Sequence, residues 1–249
     1  MSRGIAGFLF GIYAWIAFVI CVIFAILVTL IVPGLDRRRR WVSAISRAPF
    51  RLAGIHTTVR GIEKLPAGDC VIVANHASYI DGVLFQAYLP PRFSYVIKGE
   101  MRKMPVVGFL LQRIGSRFVE RFDTTASARD ARQLLTAARE GVSLGFFPEG
   151  TFVAEPGLAR FRLGAFLAAT GAGVPLVPVV ISGSRHILPA GAILPRHGHL
   201  RIDVLDPIDR SATEYGDSRS LAALTRARML EVLDEPDLAE AKPAAAATP

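Results

Sequence analysis

Cysteine is scarce in this chain: there are two in 249 residues, Cys21 inside a long apolar run and Cys70 in an expected strand. Two thiols so placed offer neither a disulfide framework nor a thiolate metal cluster, and both are expected as buried packing residues. Lysine is scarce too. Of 29 basic residues 25 are arginine, so the formal charge of +8 cannot be titrated away near neutral pH. Such a surface suits nucleic acid, lipid headgroups or a phosphorylated substrate. No internal repeat is present. The last stretch, KPAAAATP, has no large apolar side chain to pack, and residues 236–249 are expected as a disordered tail.

Charge is missing altogether from Ile5 to Val32, and this gap holds the excess of a chain that is 51% hydrophobic. About 20 apolar residues cross a bilayer core as a helix, so residues 1–36 read as a membrane anchor. The run is too long for a secretory h-region and has no A-x-A exit, which argues against a signal peptide. A bend at Gly11 or Pro33 would make it a re-entrant hairpin instead of a span. Four consecutive arginines, Arg37 to Arg40, follow the run against a single Arg3 before it. The positive-inside bias then places the remaining chain at the cytoplasmic face of the cell (inner) membrane. Residues 37–54 interleave Arg with Trp41, Val42, Ile45, Phe50 and Leu52, the pattern of a basic element lying among anionic headgroups. A membrane partner replaces the nucleic-acid reading of the charge.

Residues 55–235 alternate short β-like runs with helical stretches and predict an α/β domain, a mixed sheet of about seven strands flanked by helices. The strand runs are HTTVRGI, CVIVA, FSYVI, RFVER, VSLGFF, PLVPVVIS and HLRIDVL, and a last helix is expected over about Ser211 to Leu233.

The chemistry gathers where two of these strands end. In VIVANHASYIDG, Asn75-His76 follows the β-branched run and Asp81 lies five positions beyond the histidine. On a straight helix the two would stand some 140° apart about the axis. An irregular turn between them lets the carboxylate swing back to the ring, fix its tautomer and leave the other nitrogen as a base. No nucleophile adjoins the pair, so its target is a hydroxyl on the substrate. A capping residue beside a satisfied turn histidine is the plainer alternative. A second stretch, GVSLGFFPEGTF, ends in Pro148-Glu149-Gly150-Thr151, also at a strand's carboxyl end. Ligands of open α/β sheets gather at that edge, and parallel neighbours would bring His76 and Glu149 together there.

Four blocks, in order, resemble the glycerolipid acyltransferase family. They are Asn75-His76 with Asp81; Gly115, Phe118, Val119 and Arg121; Phe147 to Thr151; and the apolar Val174 to Val179 with Pro175 and Pro178. The likeness covers about residues 55–207. It implies direct acyl transfer from acyl-CoA or acyl carrier protein to a lysophospholipid hydroxyl, with 1-acylglycerol 3-phosphate the expected acceptor. On this resemblance His76 is the general base and Asp81 its orienter, and no covalent intermediate forms. Arg121, and Lys98 beside it, would bind the acceptor's phosphate. Glu149, with Gly150 and Thr151, would hold its hydroxyls, and the Gly150 N–H is a candidate oxyanion donor. Asn75, Gly115, Phe118, Pro148 and Pro178 support the motifs. No metal and no cofactor are implied; the thioester is a co-substrate.

One position departs from the family. Members acting on phosphorylated acceptors usually carry arginine after F-P-E-G-T, and here the residue is Phe152. That opens a second acceptor, a lyso-lipid without phosphate such as a lyso-amino-acid lipid, with Arg160 or Arg162 as other sources of charge. Two readings from other classes are weaker. Gly141-Val-Ser143-Leu-Gly145 spells a serine-hydrolase elbow, but that elbow needs a strand before it and a helix after, the reverse of this context. His197 and His199 lack a third metal ligand nearby. A non-catalytic lipid-binding protein is the remaining alternative, and the presence of both His76 and Asp81 speaks against it.

Overall fold

The computed structural model describes residues 2–120 and 124–239. Arg121, expected at the acceptor's phosphate, lies outside the described residues.

Helix α1 (Ser2–Ile31) is the apolar run, and it passes Gly11 without a break. It is the one described helix long and apolar enough to cross a membrane. The chain reverses at Val32–Gly34 and returns as α2 (Leu35–Leu52), so the bend foreseen at Pro33 forms and the one at Gly11 does not. Ala14, Ala17, Cys21 and Ala25 make a buried seam of small side chains along α1, while Phe8, Ile16, Val19 and Ile23 on its opposite side remain exposed. Small side chains let a second helix approach closely, and steps of three and four place them on one face.

Both ends of α1 are tied to the α/β domain. Near the start, the Trp15 indole N–H donates to the Ile193 carbonyl at 2.6 Å and the Phe10 ring stacks on His197 at 3.5 Å. Near the end, Arg113 donates to the Thr29 carbonyl at 2.6 Å, supplying a cation and donors where a helix leaves carbonyls unpaired.

The arginine run divides by function. Arg37 and Arg40 are exposed, as expected of a headgroup-facing segment. Arg39 is 6% exposed and donates to the carbonyls of Ile114 (2.8 Å), Arg92 (3.0 Å) and Gly115 (3.3 Å) and to Ser94 Oγ (2.6 Å). Arg38 likewise turns inward to the Val32 carbonyl at 2.8 Å. These two arginines pin α2 to the domain, which reading them by charge alone missed.

The domain then runs β1 (His56–Arg60), β2 (Val71–Ala74), α3 (Asp81–Tyr88), β3 (Ser94–Lys98), α4 (Pro105–Arg113), β4 (Arg117–Val119), α5 (Thr124–Arg139), β5 (Leu144–Phe146), α6 (Gly164–Ala172), β6 (Leu176–Ser182), α7 (Ser184–Ile187), β7 (His199–Val204) and α8 (Ser218–Leu230). The seven described strands form one sheet in the order β1-β7-β6-β2-β5-β3-β4, parallel except where β7 runs against β6. All seven coincide with the expected runs. Val71 to Ala74 are fully buried because β2 is central and covered on both faces. Its two neighbours are parallel, with Val71 beside Leu144 of β5 and Leu176 of β6, so all three strands end at one edge.

The expected tail does not begin at residue 236. The Leu158 N–H donates to the Pro236 carbonyl at 2.9 Å and the Leu238 N–H to the Leu158 carbonyl at 3.0 Å, while Arg226 pairs with Asp237. Backbone hydrogen bonds to a buried strap hold Pro236 to Leu238, which their composition does not disclose.

Candidate active site

Strand β2 delivers its last residue to the edge, and a side chain then replaces the backbone ladder. Asn75 Nδ2 donates to the Ile181 carbonyl at 2.8 Å, and the Ile181 N–H donates to Asn75 Oδ1 at 2.7 Å. The amide thus pairs with β6 as one more strand residue would, after the Ala74–Val179 pair. The chain is held to the sheet while its backbone turns away.

In that turn the carboxylate does swing back. Asp81 is fully buried at the start of α3, and its Oδ2 accepts the N–H groups of Ala77 (2.7 Å) and Ser78 (2.8 Å) and the ring N–H at Nδ1 of His76 (2.9 Å). Two backbone donors keep the carboxylate in place, and the carboxylate keeps the proton on Nδ1. Nε2 is left as the proton acceptor.

The imidazole, with 18% of its side-chain surface exposed, is bracketed by aromatic rings. Phe147 stacks on it at 4.3 Å between centroids, and Phe152 meets it edge-on at 4.8 Å. Phe147 stacks in turn on the buried Phe85 at 4.6 Å, and Phe152 meets the exposed Tyr79 edge-on at 4.6 Å. Sequence reasoning missed this bracket, although its signal was present: an aromatic residue stands on each side of the P-E-G-T turn.

Glu149 reaches the same place from β5, as the parallel register required. Its Oε1 accepts the His76 backbone N–H at 2.6 Å and its Oε2 accepts the Ala159 N–H at 2.8 Å. Burial, with 7% exposed, pushes its carboxyl up to about 7 against the opposing pull of those two hydrogen bonds. Glu149 was expected to face the acceptor's hydroxyls; both its oxygens instead bind the protein. The Gly150 N–H, expected as an oxyanion donor, donates to the Phe147 carbonyl at 3.0 Å and closes the turn. Gly150 has φ +83°, and a Cβ there would lie 2.8 Å from Arg162 Nε, so the position suits glycine on two counts.

The remaining predicted residues divide between the edge and the frame. Thr151 is exposed beside the turn, and Lys98 is exposed at the end of β3, two strands from His76. Buried Pro148 accepts the Arg162 N–H at 2.8 Å. Gly115 takes φ +76° and makes room for Arg39, whose Nη2 would stand 2.8 Å from a Cβ there. Phe118 is half-buried in β4. Pro178 is buried inside β6 opposite Val73, three residues before His76, and so does not line the edge. Strand β6 is internal, and the Leu205 N–H donates to the Pro178 carbonyl at 2.9 Å. The proline has no N–H to return that bond, and the paired β6–β7 register begins one residue later at Val179–Val204.

The rival chemistries find no support in the geometry. Ser78, the hydroxyl in the turn between His76 and Asp81, is buried and donates to the Leu188 carbonyl at 2.7 Å. Ser143 precedes β5, at the end of the strand away from His76, and is buried against Asp69. His199 faces His56 across the β1–β7 pair at 5.7 Å, His197 lies on Phe10, and the described residues hold no group of three metal-ligating side chains.

A family model described as Acyltransferase matches residues 56–182, which contain both the His76–Asp81 pair and the Glu149 turn. The chloroplastic 1-acyl-sn-glycerol-3-phosphate acyltransferase of Brassica napus is 30% identical over 221 residues, 84% of this chain and 62% of that protein. The 1-acyl-sn-glycerol-3-phosphate acyltransferase of Salmonella typhimurium is 31% identical over 173 residues, 68% of this chain and 69% of its own length. The crystal structure of the 1-acyl-sn-glycerophosphate acyltransferase PlsC from Thermotoga maritima shares the fold, with a TM-score of 0.79 over 93% of this chain and 96% of that one at 21% identity. The family model spans the residues that build the site, and the chain belongs to the acyltransferase family that includes the 1-acylglycerol-3-phosphate acyltransferases.

Proposed function

We propose that the chain is an O-acyltransferase that moves an acyl group from acyl-CoA or acyl carrier protein to the free hydroxyl of 1-acylglycerol 3-phosphate, giving phosphatidic acid. The observation that carries this reading is the 2.9 Å contact between His76 Nδ1 and the buried Asp81, which leaves Nε2 as a base at the sheet edge. Nε2 takes the acceptor's hydroxyl proton as its oxygen attacks the thioester carbonyl. The tetrahedral intermediate then collapses, the ester forms, and the departing thiolate recovers the proton from the imidazolium. Asp81 stabilises that imidazolium without itself being protonated. The nearby Ser78 hydroxyl donates to a carbonyl, which supports direct transfer without an acyl-enzyme. The thioester serves as co-substrate, and no step calls for a metal or prosthetic group. The phosphate would be met by Lys98 and by Arg121.

The anchor supports an acceptor that never leaves the membrane. A helix of 30 residues is about 45 Å long, and α1 touches the domain at Phe10, Trp15 and Thr29. A helix held alongside its domain in this way enters the bilayer by its exposed apolar side rather than by crossing it, and the exposed Arg37 and Arg40 then meet anionic headgroups. The cytoplasmic face of the inner membrane is the side we assign to the domain, a reading supported by the arginine excess that follows the apolar run.

Phe152 favours a second acceptor. It puts hydrocarbon against the imidazole and against Tyr79, where a cation would suit a phosphate. Purified protein in detergent, offered labelled palmitoyl thioesters with lysophosphatidic acid and in parallel with a non-phosphorylated lyso-lipid, decides between them. Transfer to lysophosphatidic acid is expected, and His76→Ala is expected to lower kcat at least 1000-fold while keeping the melting temperature. Transfer confined to the other acceptor would retain the base and replace the substrate. Activity retained in His76→Ala would remove the base.

A further inference from the structure

We infer that Glu149 is the positioning residue of the catalytic histidine: its buried carboxylate bridges the backbone N–H of His76 to that of Ala159. This ties the catalytic turn to a strap closed by the C-terminal segment. The role rests on the acyl-transfer reading of His76, and it differs from the contact with acceptor hydroxyls expected of this residue.

The bridge is made by both oxygens, at 2.6 Å to His76 and 2.8 Å to Ala159. Beyond Ala159 the connection continues. Arg226 donates to the Ala159 carbonyl at 2.6 Å and pairs with Asp237, and Arg185 pairs with Glu235, whose other oxygen accepts the Gly157 N–H at 2.7 Å. The backbone of His76 is thus connected through one carboxylate to a strap of residues 157–159, and through the strap to residues 235–237. Asp81 holds the imidazole by its ring nitrogen, and Glu149 holds the same residue by its main chain. Two independent attachments leave the ring little freedom as it takes and returns a proton.

Only a carboxylate fits the place. Both partners are donors, so an amide would turn its NH2 toward one of two N–H groups, and a protonated acid would lose an acceptor in the same way. Burial pushes the Glu149 carboxyl up to about 7, with the charge of Asp81 adding to it and the two backbone hydrogen bonds and Arg226 opposing it. As pH falls below that range the bridge is half undone, and catalysis is lost through a second group besides the base.

The test is Glu149→Gln in the full-length protein in detergent. We expect kcat to fall at least about tenfold with the KM for lysophosphatidic acid unchanged within about twofold, the split of a lost positioning contact. The acid limb of the pH–kcat profile should also change from a two-proton to a one-proton slope. A readout independent of turnover is the NMR titration of the His76 ring, assigned among the five histidines by its absence in His76→Ala. The wild-type ring should report a second inflection that Glu149→Gln removes. A raised KM with unchanged kcat would place Glu149 on the acceptor and overturn the proposal, as would unchanged kcat and slope. If the glutamine variant does not fold, Glu149→Asp keeps the charge but is one methylene too short to span both amides; it should lose kcat and retain the two-proton slope. Wild-type protein that transfers to no acceptor yet shows the second inflection would defeat the acyl-transfer reading and leave the bridge standing.

Discussion

At the scale of single residues, Glu149 joins stability to pH in a direction opposite to most carboxylates. Its carboxyl is pushed up to about 7 by burial, so between the ordinary glutamate range and pH 7 the folded chain binds the proton that the unfolded chain has released. Its contribution therefore favours the folded state at low pH and is lost as pH rises, by roughly 3 kcal/mol over the whole interval. Thermal melts of the wild type and of Glu149→Gln at pH 5 and pH 8 check this. The wild type should lose more melting temperature on going to pH 8 than the variant does. Parallel behaviour of the two proteins would show that the carboxyl is ionised throughout. A site that destabilises its protein at working pH is a familiar cost of holding a buried charge in a set orientation.

Among the elements, α2 shows how a residue run can have two functions on its two faces. An 18-residue helix carrying Arg37 to Arg40 turns two of the four toward solvent and two inward. Arg39 fills a gap left by Gly115, and each explains the other: the guanidinium needs the space, and the carbonyls of Ile114, Arg92 and Gly115 need its donors. Gly115→Ala should cost about 1–3 kcal/mol, from φ +76° and from a Cβ 2.8 Å from Arg39 Nη2. Arg39→Met should cost about 2–5 kcal/mol by leaving buried carbonyls without donors. The double variant should lose less than the sum, because each change removes part of what the other disturbs. Urea unfolding of the three variants measures this, and strict additivity would separate the glycine from the arginine.

For the whole molecule, the lateral docking of α1 predicts which face meets lipid. Ile16 and Ile23 are exposed on the side of α1 opposite the seam of Ala14, Ala17, Cys21 and Ala25. Ile16→Asp with Ile23→Asp should weaken partition into anionic vesicles at least about tenfold, since each change removes roughly 1.5–3 kcal/mol of apolar transfer. The melting temperature in detergent should change little. Vesicle flotation reads the first quantity. A double variant that floats as well as the wild type would remove this face from the membrane contact.

The seven strands, the apolar N-terminal helix and the His76–Asp81 pair were legible in the amino-acid order, because each is a local matter. Short β-branched and aromatic runs, a 28-residue uncharged run and a five-residue spacing are written in consecutive positions. The mixed sheet's strand order was not legible, nor was the antiparallel β6–β7 pair, since pairing partners are chosen by packing over long separations. The same holds for the inward turn of Arg39, for the Phe147 and Phe152 rings closing on His76, and for Glu149 facing two amides instead of a ligand. Residue types and spacing determined the chemistry available at the edge. Which of those groups stay free for a substrate and which hold one another in place was decided by the tertiary structure, since burial and hydrogen-bond geometry exist only when distant segments meet.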